Sequence, residues 1–292
     1  MARRERRAAA FFLAPDLIGL AVFVGIPMVL SVVLGFFRIS GFGDYEFIGL
    51  DNYRRMFADP PFLASLRTTL LYVGLLVPGV FVSGLGLALL VKRKLPGVGV
   101  FRTLLFLPNI VSVVVVAVVW QFMLGEQTGV VNRLLRTVGL QGPSWLGDPS
   151  LALGSVIAVT VWTLMGYYMV IFLAGLQDIP NEYYESARID GATGWQSFRH
   201  ITWPLLKPTS FFVLLMTTVA AITGAFDLIF VLTAGGPANG TTVTIFYIYQ
   251  QAFLFGEFGY ASAMGSFLVL VMLVCSAIIF SLTRGGRFTY GD

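Results

Sequence analysis

The run Leu151-Ala-Leu-Gly-Ser-Val-Ile-Ala-Val-Thr-Val-Trp-Thr-Leu-Met-Gly-Tyr-Tyr-Met-Val-Ile-Phe-Leu-Ala-Gly-Leu176 carries no charged side chain over 26 consecutive positions. At about 1.5 Å rise per residue it makes a helix of roughly 39 Å, longer than the roughly 30 Å hydrocarbon core of a bilayer. It therefore reads as a membrane-crossing helix. Five further runs are nearly free of charge, at 11–37, 68–91, 103–124, 209–233 and 260–283. The expected fold class is all-α, a polytopic membrane protein with about six transmembrane helices. An even number of crossings leaves both termini on one side. The first run is too long for a signal-peptide core and lacks an obvious small-residue cleavage site, so it reads as a retained helix. Thr244 to Phe255 is apolar but too short to cross, and is expected at the interface or as a re-entrant segment.

Composition agrees with a lipid solvent. Of the 292 residues 57% are hydrophobic and 12% charged, against about 25% charged in a soluble domain. The mean hydropathy is +0.83. The net charge of +4 does not point to nucleic acid, because the basic residues fall in short clusters beside the apolar runs. Cys275 and His200 are each the only residue of their type. That excludes an internal disulfide and a multi-histidine or multi-cysteine metal site. No Gly-x-x-x-x-Gly-Lys-Ser/Thr phosphate loop occurs, so any ATP is bound by another subunit.

The placement of Lys and Arg orients the chain. With the N-terminus inside, the cytoplasmic segments hold Arg3, Arg4, Arg6, Arg7, Lys92, Arg93, Lys94, Arg102, Arg188, Arg199, Lys207, Arg284 and Arg287, which is 13 of 19. Arg38, Arg54, Arg55, Arg67, Arg133 and Arg136 fall outside. The positive-inside rule then puts both termini in the cytoplasm. Turn formers such as Gly41-Phe42-Gly43-Asp44 and Gly235-Gly236-Pro237 mark the external loops.

On the cytoplasmic side, residues 177–207 form a long loop with a helical pattern, and long loops in compact chains are usually functional. Asn181 is placed to cap a helix over about Glu182 to Asp190, with Glu182 and Glu185 in its first turn, where carboxylates suit the helix dipole. Gly191 supplies a left-handed residue to end it, and Thr193 with Gln196 makes a capping box for a second short helix toward His200. Pro204 and Pro208 fix the re-entry into the fifth span. Pattern alone leaves this hairpin as a plain interfacial element.

The residues add more. Glu185-Ser186-Ala187, three residues, Gly191, nine residues, then Ile201-Thr202-Trp203-Pro204 resembles the Glu-Ala-Ala loop of binding-protein-dependent ABC importer permeases. Ser186 stands for the middle alanine and Trp203 for the usual leucine. Gly49-Leu-Asp-Asn-Tyr-Arg-Arg-Met-Phe57, Phe101-Arg-Thr-Leu-Leu-Phe-Leu-Pro108 and Phe226-Asp-Leu-Ile-Phe-Val-Leu-Thr-Ala-Gly-Gly-Pro237 are similar to the carbohydrate-type permeases, of the maltose and glycerol-phosphate kind. The resemblance implies a single permease domain over 1–292, a multi-pass protein of the bacterial plasma membrane. It implies a second homologous permease subunit, two cytoplasmic ATPase subunits that bind ATP and magnesium, and an extracytoplasmic substrate-binding protein delivering a sugar-like solute. It implies a chain that itself holds no cofactor and is not an enzyme. It also implies that Glu182, Glu185, Ser186, Ala187, Asp190, Gly191, Ala192, Ile201 and Pro204 couple to the ATPase.

Candidates for the substrate path are fewer. Gly166 admits close backbone approach, and Tyr167 and Tyr168 beside it offer flat apolar faces with hydroxyls that suit a sugar or pack locally. Thr218 and Ile222 share an i, i+4 face that similarity to maltose-type permeases puts on the path. Asp227, an ionisable residue within the fifth run, reads either as a subunit-interface partner or as part of the path. Asp16 reads as snorkelling, and Trp120 with Gln121 as an interfacial belt. A secondary transporter driven by an ion gradient is the alternative, and it normally needs midplane polar groups or inverted repeats that these runs lack.

Overall fold

The computed structural model describes residues 2–40, 43–92 and 97–283. The positions Gly41, Phe42, Arg93, Lys94, Arg284 and Arg287, used above for turns and orientation, lie outside the described residues. Two compact units form, residues 1–63 with 247–271, and residues 64–246 with 272–292.

In the first unit, the helix Ala2–Leu20 continues through a π turn at Ala21–Gly25 into Ile26–Leu34. Its apolar part, α1 (Phe11–Leu34), is long enough to span. The amide of Ile26 reaches back to the carbonyl of Ala21, and Pro27, which follows, has no N–H to donate to Phe23. A hairpin of β1 (Phe37–Ser40) and β2 (Asp44–Phe47) follows, with Phe37 opposite Phe47, and then α2 (Asp51–Ala58). Buried Asn52 donates to the carbonyls of Gly35 and Phe37, both at 2.9 Å. Asp59 accepts from Tyr247 at 2.8 Å and Tyr260 at 2.6 Å. Arg55 lies 4.1 Å above the Tyr260 ring and 3.2 Å from Glu257.

The second unit is built around long helices. These are α3 (Pro60–Val91), α4 (Val98–Ile110), α5 (Val113–Met123), α6 (Val130–Thr137) and α7 (Ala152–Gln177). Next come α8 (Asn181–Ile189), α9 (Gly194–Leu205), α10 (Lys207–Thr223) and α11 (Ala225–Leu232). A short α12 (Thr244–Tyr249) and the long α13 (Phe258–Leu282) complete the chain. Tyr72, Leu76, Val80, Val156, Met169, Phe172, Leu206 and Ile229 belong to one buried core. Two pairs of buried hydroxyls satisfy each other, as a low-dielectric interior favours: Tyr72 with Thr160 at 3.1 Å, and Thr69 with Thr244 at 3.0 Å.

Two of the expected spans are not straight helices. The run 103–124 divides into α4 and α5, which meet at 100°. Val111 and Ser112 are both extended there, ψ 142° and 132°, three residues after Pro108 removes a backbone donor. The run 209–233 breaks at Gly224 into α10 and α11. Among the described residues four helices are long and apolar enough to cross a membrane, or up to six if the bent pairs α4 with α5 and α9 with α10 each count as one span. Helix α12 runs on through a π turn at Gln250–Leu254, and Gly256 (φ +72°) follows shortly after.

Candidate coupling surface and transport path

The loop after α7 is a helix, a sharp turn and a helix, and most of its local chemistry follows from the sequence. Helix α8 starts one residue earlier than expected. Pro180, extended at ψ 137°, takes the cap position, and Asn181 is already helical with no side-chain cap. Consequently Glu182 alone lies in the first turn, and Glu185 stands in the second. Gly191 sits at φ +76°, the left-handed conformation expected of it. The amide of Ala192 donates to the carbonyl of Ala187 at 2.8 Å and that of Gly191 to Arg188 at 3.1 Å. This pair of bonds is the Schellman arrangement, which satisfies the last carbonyls of a helix.

The second helix begins with the expected capping box. The Gln196 amide donates to Thr193 Oγ1 at 3.3 Å, and the Thr193 amide donates to Gln196 Oε1 at 2.7 Å. Helix α9 then extends past His200, through a π turn at Phe198–Thr202, as far as Leu205. It meets α10 at 65°, with buried Leu206 at the corner and Pro208 opening α10.

The family-like residues divide by exposure. Glu182, Glu185, Ser186, Asp190 and Gly191 are exposed, whereas Ala187, Ala192, Ile201 and Pro204 are half-buried. Ile189 projects from among the carboxylates at 87% exposure. An exposed apolar side chain set among charged groups, Glu185, Arg188 and Asp190, is a surface suited to a partner groove.

Sequence reasoning passed over the brace that holds α8. Tyr184 shares a hydrogen bond with Thr202 of α9 at 3.0 Å. Lys92, just beyond α3, donates to the Tyr184 hydroxyl at 3.3 Å and lies 4.4 Å above its ring. From sequence Lys92 reads only as an orientation charge, and nothing local pairs it with Tyr184, 92 residues away. At the root of the loop a cavity of about 420 Å³ is lined by Gly175, Asp178, Pro180, Tyr183, Leu205 and Thr209.

The candidate path residues separate by burial. Gly166 is a packing position: a Cβ there would collide with the carbonyl of Leu105 in α4 and come 3.0 Å from the Phe106 Cα. Tyr168 is 3% exposed and faces Gly84 of α3, whose added Cβ would lie 3.2 Å from the Tyr168 Cβ. Thr218 and Ile222 are also buried, with Thr218 Oγ1 donating to the Leu214 carbonyl at 2.7 Å. Tyr167 is 40% exposed and packs edge-on to Tyr168. Asp227 is exposed in the first turn of α11, with no salt-bridge partner among the described residues. The exposed stripe along α10 and α11 runs Phe212, Met216, Thr223, Asp227 and Phe230. The helical spacing of these residues was readable, but which face of the helix they share was not. Trp120 packs against Trp162, and Gln121 donates to the Val231 carbonyl at 3.3 Å.

The chain is 40% identical over 268 residues to a probable ABC transporter permease protein of Pyrococcus horikoshii, covering 90% of this chain and 91% of that one. It is 32% identical over 282 residues to the sulfoquinovosyl glycerol transport system permease protein of Agrobacterium fabrum, covering 96% and 91%. A solved structure of a bacterial alginate ABC transporter, in complex with an alginate pentasaccharide-bound periplasmic protein, superposes with TM-score 0.84 at 27% identity, over 97% of this chain and 95% of that chain. Residues 81–285 match the model of the binding-protein-dependent transport system inner membrane component family. With that match over most of its length, the chain belongs to this family of multi-pass membrane permeases.

Proposed function

We propose that this chain is the sugar-translocating permease subunit of an ABC importer. It pairs with a second, homologous permease, takes a sugar-like solute from an extracytoplasmic binding protein, and is driven by two cytoplasmic ATPase subunits. The observation that carries this reading is the geometry of the turn at Gly191. A Schellman end and a capping box, back to back, stand α8 out as an acidic, apolar-tipped protrusion, while Tyr184 braces it to α9 and to Lys92. A strut with fixed ends transmits displacement, which is what coupling through a bistable element requires. The sugar assignment is supported by the sulfoquinovosyl glycerol and alginate systems named above.

In this reading the 13-to-6 excess of basic residues places the loop and both termini in the cytoplasm. ATP-driven closure of the ATPase pair moves α8, and the helices rock between outward-open and inward-open states around a cavity shared with the second permease. The exposed stripe with Tyr167, Met216 and Asp227 faces that shared cavity.

The test is uptake into proteoliposomes holding the reconstituted complex. Expected are sugar uptake that needs internal-facing ATPase and ATP, and stimulation of hydrolysis by the loaded binding protein. Uptake sustained by a proton or sodium gradient with no ATPase present overturns the reading in favour of a secondary transporter. Labelling of cysteines placed near Glu185 by an impermeant reagent, in sealed right-side-out vesicles, overturns the orientation.

A further inference from the structure

Helix α6 belongs to neither surface described above. One side of it is locked down. Asn132 is fully buried, its amide nitrogen donating to the carbonyls of Glu126 and Pro143 at 3.0 Å each, and its Oδ1 accepting from the Trp145 indole at 2.6 Å. A Cβ at Gly142 would collide with that same side chain, so the segment closes tightly over Asn132.

The other side is apolar and open. Val130, Leu134 and Val138 recur at i, i+4 and i+8, with exposures of 49%, 63% and 70%, and exposed Leu140 follows. Exposed Arg133 and Arg136 lie on the turns of the helix away from this stripe, and neither pairs with a carboxylate among the described residues. Arg136 does donate to the Glu126 carbonyl at 3.1 Å. An apolar stripe with cationic side chains on the remaining face is the pattern of a helix lying in a membrane interface, and guanidinium groups are suited to phosphate.

Position and surroundings name the same occupant. Residues 124–129 alone separate α6 from α5, whose Val114, Val115, Val119 and Phe122 are exposed. The stripe on α6 therefore lies a short stretch of chain from an exposed apolar face of α5, with exposed Glu126, Gln127 and Thr128 between them. Beside it opens a cavity of about 470 Å³ walled by Trp120, Leu124, Val131, Trp145, Gly154 and Val159. Its wall is mostly apolar, with two indole rings, and aromatic rings of this kind gather at the headgroup level.

We propose that α6 is an interfacial helix that lies on the phospholipid surface. Val130, Leu134 and Val138 sit at the boundary of headgroups and acyl chains, Arg133 and Arg136 engage lipid phosphates, and the adjoining cavity receives an acyl chain. Asn132 transmits this anchorage to the α5–α7 connection, fixing its height against the bilayer.

The experiment uses the assembled transporter in phospholipid nanodiscs, with Cys275→Ser as background. Nitroxides are attached at Leu134→Cys and, as an aqueous control, at exposed Gln141→Cys. Expected is loss of collisions with a water-soluble nickel chelate at 134 relative to 141, with oxygen collisions raised at 134. Arg133→Glu with Arg136→Glu, both surface changes, should restore nickel access at 134 by repelling the phosphates. Equal nickel access at 134 and 141 overturns the proposal. So does protection of 134 that arises only on adding the binding protein, because the stripe then covers a protein contact. Unchanged access at 134 in the arginine double variant overturns the phosphate contact.

Discussion

The segment from Pro180 to Leu206 and the helix pair α7 and α10 are both read from strong sequence signals, yet they answer to different physics. In the loop each backbone feature is fixed by residues within five positions of it. Gly191 ends α8 because only glycine adopts φ +76° cheaply, and Thr193 opens α9 by bonding to Gln196. In α7 the same kind of sequence information leaves the decisive matter open. Tyr167 and Tyr168 are adjacent and chemically identical, but 40% of one is exposed and 3% of the other. What separates them is the placement of α3 and α4, which no local rule supplies. Local rules therefore fix the shape of the loop, and packing decides which side chains of α7 are exposed.

The largest expected effect tests that division within one helix. Tyr168→Ala removes a buried ring from the core and should destabilise the purified complex by about 3–5 kcal/mol. Tyr167→Ala should stay within about 0.5 kcal/mol of the parent while lowering sugar uptake. Thermal unfolding in detergent, alongside transport in proteoliposomes, reads both. Equal destabilisation by the two substitutions would break the comparison, since burial would then not be what distinguishes them.

A second pair contrasts two glycines kept for different reasons. At Gly166 there is no room, and Gly166→Ala should cost about 1–3 kcal/mol through overpacking against α4. At Gly191 there is open space around a Cβ but a positive φ, so the strain is in the backbone. Gly191→Val should cost about 1–2 kcal/mol and weaken ATPase co-purification, whereas Gly191→Asn, tolerant of the left-handed region, should restore most of it. Asn at 166 should rescue nothing. A 191 variant indifferent to Val against Asn would show that the turn is not held by φ.

Legibility of the rest follows the same line. The apolar runs announced the helices because lipid demands long uncharged stretches, but the 100° break at Val111–Ser112 was hidden within one such run. Pro108 was visible without showing that two extended residues would follow. The capping-box and Schellman residues were legible as sequence; the missing Asn181 cap was not, because Pro180 competes for the same position and wins by its fixed φ. Long-range partners such as Lys92 for Tyr184 had no local trace.

A smaller effect probes the capping box. Thr193→Ala removes the hydroxyl that accepts from the Gln196 amide and should cost about 1 kcal/mol, with Thr193→Ser recovering it. Hydrogen exchange at the amides of Gly194 to Gln196 is the direct reading. Exchange that does not quicken in Thr193→Ala would mean that the turn is fixed by Gly191 and Tyr184 alone.

The smallest change in stability carries the sharpest functional contrast. Glu185 is exposed in the second turn of α8, beyond the reach of the first-turn dipole effect, and makes no salt bridge among the described residues. Glu185→Ala should therefore leave unfolding within about 0.5 kcal/mol of the parent. If its carboxylate serves the ATPase groove, the same substitution should reduce ATPase co-purification and substrate-stimulated hydrolysis, and Glu185→Lys should reduce them further because a like charge then meets the groove that received a carboxylate. Glu182, one turn earlier and at the positive end of the helix, should show the reverse balance: a modest stability loss of about 0.3–1 kcal/mol from the helix dipole and less effect on coupling. Normal hydrolysis and co-purification in both Glu185 variants would remove this residue from the docking surface and leave Ile189 and the turn itself as its remaining candidates.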